Sequence, residues 1–273
     1  MPNILKIDFI TTSQASSSMI IAFLSDFPFY AFEENENLVS AYIKEEDFKE
    51  DVLYTLDNKL FIKSNIISIA EKNWNQEWEQ GFSPVIINDF AAIRANFHQP
   101  IKTVKYDLII TPKMSFGTGH HATTYLMIKS MERIDFLGKK VLDFGTGTGV
   151  LAILAEKMGA SVIAIDNDDW SINNTLENLI MNQSTDITVI KSEIPVKNEK
   201  FDIVLANINT HILMDNNYRI REICSNDAYI LISGFLAKDV NIIIKSFSMA
   251  GFVLDSSMEQ DDWYCLIMKV SKS

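Results

Sequence analysis

The sequence predicts an α/β protein: a mostly parallel sheet with helices on both faces and an antiparallel hairpin at its edge, preceded by a small α+β module. Three observations support this fold class. From residue 135 onward, short apolar runs alternate with helical patterns, as parallel strands joined by crossover helices do. A glycine-rich turn follows the first of these runs. The first 70 residues instead follow the order strand, helix, strand, strand, helix, strand.

The N-terminal module is predicted to span residues 1–71. Its predicted elements are a strand over 3–10, a helix over 14–26, strands over 29–32 and 38–43, a helix over 45–56 and a strand over 66–70. The helix over 45–56 is favoured by acidic residues at its start and by apolar residues at four-residue steps. This βαββαβ order is that of a ferredoxin-like sandwich.

Residues 72–111 are predicted to form a linker and connecting strands. An aromatic segment over 74–78 is followed by a hairpin centred on Asn88-Asp89 and a strand over 106–111. The second domain is predicted over 112–273. Its expected elements alternate over 140–145, 150–158, 161–166, 169–181, 187–192, 201–206, 211–223, 228–233 and 238–249. Two final strands, near 252–256 and 263–270, have no helix between them and therefore predict the antiparallel edge hairpin.

The composition excludes several classes of function. The chain of 273 residues has a net charge of −12 and no block of Lys and Arg, so direct binding to nucleic acid is not expected. Residues 1–60 alone carry a net charge of −7. This acidity has two readings: a solvated surface that aids solubility, or a docking module for a basic protein.

The sequence also predicts a compartment. The two cysteines, Cys224 and Cys265, cannot form a disulfide framework and lie in apolar patterns, so we expect buried thiols and a cytoplasmic protein. The N-terminus lacks the pattern of a secretory signal. No apolar stretch approaches the ~20 residues of a membrane span, so no membrane partner is expected. The oligomeric state is open.

A glycine-rich turn is the most informative motif. The apolar strand that contains Asp143 leads into Gly145, Gly147 and Gly149, a helical pattern follows, and a second apolar strand ends at Asp166, 21 residues after Gly145. Glycine tolerates the positive φ of such turns and lets the backbone approach a ligand. An acid at the end of the second strand can accept both hydroxyls of a ribose. The motif therefore predicts a nucleoside site.

The rival interpretation is a dinucleotide site, which requires the pattern Gly-x-Gly-x-x-Gly. Counted from Gly145, the sixth position is Val150; counted from Gly147 it is Ala152, but the strand-to-glycine spacing is then too long. Asp143 lies two residues before Gly145 and suits a cationic ligand better than a pyrophosphate. S-adenosylmethionine is therefore the favoured ligand. A glycine turn without a ligand is the remaining alternative.

A second glycine-rich loop over 115–124 precedes a helix over 125–131. Phe116 is a candidate wall of the site, and we expect Thr123 or Thr124 to cap the helix or to donate to a ligand carboxylate. The paired His120 and His121 suggest a metal, but adjacent side chains on an extended loop point apart and no further ligands have suitable spacing. No metal site is expected.

A third motif ends a buried strand at Asn207. The carboxyl ends of parallel strands are where ligands bind in such sheets. An Asn side chain there can accept a hydrogen bond from a substrate amine, and it is the candidate catalytic residue. Asn209 or Thr210 is expected to cap the helix that follows.

Together, these motifs resemble the PrmA family of methyltransferases that act on ribosomal protein L11. The most specific element is the loop Phe116-Gly117-Thr118-Gly119-His120-His121-Ala122-Thr123-Thr124, and the resemblance covers essentially the whole chain. It differs at Ala122, where the family usually has Pro, and at Asp169-Trp170 after Asp168, where many relatives carry Pro. The fold this implies is a class I Rossmann-like methyltransferase sheet.

The resemblance also implies a function. It implies cofactor contacts at Thr124, Gly145, Asp166 and Asn207, to which the motifs add Phe116, Gly147 and Gly149. The implied substrate is a basic large-subunit ribosomal protein, methylated on amines and recognised by the N-terminal module. Two alternatives remain: an N-methyltransferase for another protein or a small amine, and a non-catalytic cofactor-binding protein.

Overall fold

The structure, a computed structural model, describes residues 4–10, 14–35, 38–60, 63–69, 83–111, 117, 119–195 and 199–271. Contacts along the chain divide it into two compact units, Met1–Gly81 and Phe82–Ser273. The predicted fold class is confirmed in both units. The aromatic segment over 74–78 lies outside the described residues.

The first unit has the predicted βαββαβ order. Its elements are β1 (Ile4–Ile10), α1 (Gln14–Leu24), β2 (Ala31–Asn35), β3 (Leu38–Lys44), α2 (Asp51–Leu60) and β4 (Ser64–Ile69). The strands form one antiparallel sheet in the order β2-β3-β1-β4, which is that of a ferredoxin-like sandwich. Alternate residues of β1 and β3 are buried, so the period-two pattern of each strand supplies one face of this core.

The second predicted helix of this unit is wrong in its first part. Residues Glu45–Asp47 form a single 3-10 turn, and α2 begins only at Asp51. The break falls at Phe48, whose backbone is extended (ψ 133°) and whose ring packs partly against the core. Burial of this ring therefore overrides the helical spacing that the apolar residues of 45–56 suggest.

The second unit is built on a seven-stranded sheet. Its strands are β8 (Lys140–Phe144), β9 (Ser161–Asp166), β10 (Ile187–Lys191), β11 (Phe201–Asn207), β12 (Cys224–Leu236), β13 (Phe252–Gln260) and β14 (Trp263–Val270). They lie in the order β10-β9-β8-β11-β12-β14-β13, and β14 runs opposite to the other six strands. The predicted edge hairpin is therefore present, and its second strand pairs with β12.

Helices cover both faces of this sheet. They are α3 (Ala122–Met131), α4 (Val150–Lys157), α5 (Asp169–Asn182), α6 (Thr210–Ile223) and α7 (Val240–Met249). Consecutive residues of a central strand face opposite sides, so Ile203 and Val204 belong to different apolar cores. This explains why the strands read as unbroken apolar runs. No helix among the described residues is long and apolar enough to cross a membrane.

A separate three-stranded sheet precedes this domain. The strands β5 (Val85–Ile87), β6 (Ala91–Arg94) and β7 (Tyr106–Ile109) form the predicted hairpin and a further parallel pair. Two buried asparagines of α5 bind the backbone at the end of β7: the Asn182 side chain both accepts from Ile109 N (3.0 Å) and donates to Ile109 O (2.6 Å), and Asn178 Oδ1 accepts from Thr111 N (2.9 Å). Within the second unit, the three-stranded sheet is thereby fixed to α5.

Candidate functional site

A cavity of about 410 Å³ opens where the strands β8, β9 and β11 end. These strands are parallel neighbours, so their carboxyl ends meet at one edge of the sheet. Five of the predicted site residues line the cavity, namely Thr124, Gly145, Gly147, Asp166 and Asn207. The volume is in the range of sites for small ligands and cofactors.

The glycine turn has the predicted backbone geometry. Gly145, Gly147 and Gly149 have φ of 78°, 59° and 80°, in the left-handed region that favours glycine. A Cβ atom on Gly145 would lie 2.2 Å from Ile208 Cγ2. Any residue with a side chain at this position would therefore clash with the wall of the cavity. Gly149 does not line the cavity; a Cβ there would lie 2.9 Å from Thr175 Cγ2, on α5. Its position serves the packing of α4 on α5.

Asp166 is fixed at the end of β9 by two backbone hydrogen bonds. Its Oδ2 accepts from Gly147 N (3.0 Å) and its Oδ1 from Asp168 N (3.1 Å). Each carboxylate oxygen can accept more than one hydrogen bond. The side chain is therefore held in place with acceptor capacity left for ligand hydroxyls.

Asp143 lies buried beneath the glycine turn. Its Oδ2 accepts from the Thr146 hydroxyl (2.7 Å), and its Oδ1 has no hydrogen-bond partner among the described residues. The pKa of this carboxyl is raised to about 7, mainly by burial and to a smaller extent by the charge of Asp166, while the hydrogen bond from Thr146 opposes the rise. A cation placed in the cavity would favour the ionised form of this carboxyl.

Asn207 ends β11 with one half of its amide unsatisfied. Its Nδ2 donates to Thr124 Oγ1 at 3.4 Å, whereas its buried Oδ1 has no partner among the described residues. A buried acceptor without a partner is costly unless a ligand supplies the donor. The cavity therefore contains an acceptor suited to an N–H or O–H group of a ligand.

The second glycine-rich loop joins the site through Gly117, whose carbonyl accepts from the Thr148 hydroxyl (2.8 Å). Phe116 lies outside the described residues. Of the two roles predicted for Thr123 or Thr124, capping of the helix is wrong, and donation to a ligand carboxylate stays a prediction. The cap of α3 is His121, whose extended backbone places Nδ1 to accept from Thr123 N (3.3 Å).

Two further expectations concern His120 and the start of α6. His120 Nε2 contacts Ser83 O (2.9 Å), away from the partner of the neighbouring His121. Within the described ranges, no group of three or more His, Cys, Asp or Glu could hold a metal.

Asn209 occupies the cap position of α6, but its side chain makes no capping hydrogen bond. Asn209 therefore lies at the predicted cap position but does not cap the helix with its side chain.

The cysteines are as predicted. Cys224 and Cys265 are both free and buried, and burial raises the pKa of each thiol to about 12. Neither thiol lines the cavity.

Sequence reasoning missed several residues of the cavity wall, among them Glu193 and Trp263. Glu193 follows β10 and lies at the same edge of the sheet as Asp166, so the strand-end rule could have found it. Trp263 starts β14, and its ring packs edge-on against His121 with centroids 4.7 Å apart. No local signal places a residue so late in the chain beside the first strand of the sheet.

Comparisons with known proteins identify relatives along most of the chain. The family of ribosomal protein L11 methyltransferases (PrmA) matches residues 15–271. A ribosomal protein L11 methyltransferase of Porphyromonas gingivalis is 38% identical over 269 residues, which cover 93% of this chain and 91% of that protein. One of Chlorobaculum parvum is 36% identical over 265 residues, with coverage of 92% and 91%.

Solved structures show the same relationship. A ribosomal protein L11 methylase from Lactobacillus delbrueckii subsp. bulgaricus has a TM-score of 0.66 and 29% identity, and it covers 70% of this chain and 100% of that chain. A methyltransferase from Pyrococcus furiosus, at 16% identity and a TM-score of 0.50, shares the fold over 60% of this chain and 88% of that chain. On the match over residues 15–271 and these identities, the chain belongs to the ribosomal protein L11 methyltransferase (PrmA) family.

Proposed function

We propose that this protein transfers methyl groups from S-adenosylmethionine to amino groups of ribosomal protein L11, on lysine side chains, the α-amine or both. The observation that carries the proposal is the buried Asn207 Oδ1, which lines the cavity beside the glycine turn and lacks a partner among the described residues. An amine supplies the N–H that this oxygen needs. The names of the relatives supply the identity of the protein substrate.

The residues fit the methyl donor. The described lining includes the carboxylates of Asp166 and Glu193 and no Lys or Arg, which suits a cationic sulfonium and not a pyrophosphate. Asp166 would hold the ribose, Gly145 and Gly147 would allow close approach of the backbone, and Thr124 and Asn207 would contact the rest of the donor. When bound, S-adenosylmethionine supplies an electrophilic methyl group.

The amine must be neutral to act as a nucleophile. Near pH 7.5 this costs a lysine, with a pKa of ~10.4, about 4 kcal/mol, and an α-amine, with a pKa of ~7.7–8, well under ~1 kcal/mol. His121 is not suited to take the proton at Nδ1, because that atom accepts from Thr123 N. In this proposal the amine loses its proton to water or to the substrate backbone before transfer, and Asn207 contributes by positioning the amine.

The first unit recognises the substrate in this proposal. Its acidic residues are concentrated between β3 and α2, where Glu45, Glu46, Asp47 and Glu50 are all exposed. A basic protein is attracted to such a surface. We assign recognition to residues 1–71, connection to 72–111 and transfer to 112–273, and place the enzyme in the cytoplasm, where its ribosomal substrate is made.

The function is tested by incubating the protein with radiolabelled donor and undermethylated ribosomal proteins. We expect a single labelled protein, identified by mass spectrometry as L11, and slower but still measurable labelling by Asn207→Ala. Labelling of only small amines would support a small-molecule enzyme. Donor binding without any labelling would support a non-catalytic protein. Unchanged turnover and donor affinity in Asn207→Ala would refute the assigned role of that residue.

Recognition is tested by removing charge. The variant Glu46→Gln/Asp47→Asn/Glu50→Gln should raise KM for L11 about 3- to 10-fold at low salt, because each exposed charge contributes ~0.2–1 kcal/mol, and the effect should shrink as salt is added. The matched control, Glu132→Gln/Asp215→Asn/Glu222→Gln, removes the same number of exposed acids from the second unit. An equal rise in KM for both variants would assign the effect to net charge and not to the acidic surface.

A further inference from the structure

Thr124 is the hydrogen-bond partner that decides which way the Asn207 amide faces. Asn207 Nδ2 donates to Thr124 Oγ1 at 3.4 Å, and Asn207 Oδ1 is left without a partner among the described residues. An Asn side chain has a donor end and an acceptor end of nearly the same shape. If the amide were rotated by a half turn, Nδ2 would replace the oxygen that an amine has to meet.

The positions of both residues are set by the fold. Thr124 is fully buried in the first turn of α3, and its backbone N donates to His121 O (3.1 Å). Asn207 is the last residue of β11, the central strand of the sheet, and it pairs with Ser233 of β12. Two rigid elements therefore hold the 3.4 Å contact, and the orientation of the amide does not depend on a mobile side chain.

We propose that Thr124 is a positioning residue for the acceptor amine: its hydroxyl oxygen holds Asn207 Nδ2, so that Asn207 Oδ1 faces the cavity and receives an N–H of the amine. Because Oγ1 acts here as an acceptor, the proton of the hydroxyl stays available to a ligand in the cavity that Thr124 lines. A ligand that accepts this proton would keep the oxygen lone pair turned toward Nδ2. The inference rests on the proposed function, since it assigns how that same site selects an amine.

The first test uses the protein alone. In ¹⁵N-asparagine-labelled protein, the side-chain amide signals of Asn207 are assigned by their loss in Asn207→Ala. We expect Thr124→Val, which keeps the shape and removes the hydroxyl, to speed hydrogen exchange of this amide about 10-fold, and Thr124→Ser to restore protection. Thr123→Val is the matched control, because Thr123 Oγ1 contacts His121 and not Asn207. Equal exchange in Thr124→Val and the unaltered protein would overturn the proposal.

The second test is a double-mutant cycle on methylation of L11. Thr124→Val should lower kcat about 10-fold in the unaltered protein and less than about 2-fold in the Asn207→Ala background, because a residue that acts through Asn207 has nothing left to position. Thr124→Ser should recover most of the rate. A 10-fold loss in both backgrounds would mean that Thr124 acts independently of Asn207 and would overturn the proposal.

The two tests separate this inference from the proposed function. If L11 is not methylated, the proposed function fails, while the exchange measurement still decides whether Thr124 holds the amide. If L11 is methylated but the exchange and the cycle are both unchanged, the function stands and the positioning role of Thr124 fails.

Discussion

Replacement of Asp143 by Asn should remove a penalty that the folded protein carries at neutral pH. The carboxyl is buried beneath the glycine turn, and its pKa is raised from 3.8 to about 7, mainly by burial. Asn has nearly the same shape and cannot ionise. Its amide oxygen can still accept from the Thr146 hydroxyl, which donates to Asp143 Oδ2 in the structure.

The sign and size of the effect follow from proton linkage. Below about pH 4 the carboxyl is protonated in both the folded and the unfolded chain. Between about pH 4 and 7 the unfolded chain releases this proton while the folded chain keeps it, so stability falls as pH rises; above pH 7 the loss is constant. At 1.36 kcal/mol per pKa unit the full loss is about 4 kcal/mol, of which about 3 kcal/mol falls between pH 5 and pH 8.

Differential scanning calorimetry measures this effect and can separate the two units of the chain. The difference in Tm between Asp143→Asn and the unaltered protein should be larger at pH 8 than at pH 5, by about 6–12 °C for a unit of this size. Asp186→Asn, at an exposed carboxyl of the same unit, is the control and should show the same small difference at both pH values. A constant difference between Asp143→Asn and the unaltered protein would refute the argument from burial.

Three further outcomes are expected. Ala122→Pro should raise the free energy of unfolding by about 0.4–1 kcal/mol in urea titrations, because the first position of α3 has no need of its N–H and the preceding residue is already extended (ψ 137°); a loss of stability would contradict this. Gly234→Ala should destabilise the protein by more than about 1 kcal/mol and weaken donor binding in calorimetry, since a Cβ there would lie 2.3 Å from the Ile208 carbonyl oxygen. At pH 8 the thiols of Cys224 and Cys265 should resist alkylation until the chain is unfolded, and fast labelling of the folded protein would count against their burial.

The sequence predicts the part of the cavity that is built from strand ends. Asp166 and Asn207 each end an apolar run, and the parallel order of the strands brings these ends together. The sequence predicts the glycine turn equally well, because the spacing of its glycines indicates a left-handed backbone. These features need no knowledge of how distant segments pack.

The features that the sequence does not predict depend on competition between local and tertiary interactions, or on contacts between segments that are distant in the chain. His121 and not a threonine caps α3, because the cap is decided by which residue has the extended backbone. The 3-10 turn before α2 results from burial of the Phe48 ring, which helical spacing does not register. Trp263 reaches the cavity only because β14 inserts beside β12. Each of these outcomes is set by tertiary packing and not by a local pattern.

The position of β14 has a consequence for how the protein is made. This strand follows all other strands in the chain but lies inside the sheet, between β12 and β13. Until it has been synthesised, β12 presents an unpaired edge to which another chain can add. The turn and strand ends that would receive the methyl donor are translated earlier, whereas Trp263 arrives with the last strand. In a nascent chain, the turn and strand ends that would bind the methyl donor can thus form before Trp263 completes the cavity. Chaperone protection of the unpaired edge of β12 matters most in that interval.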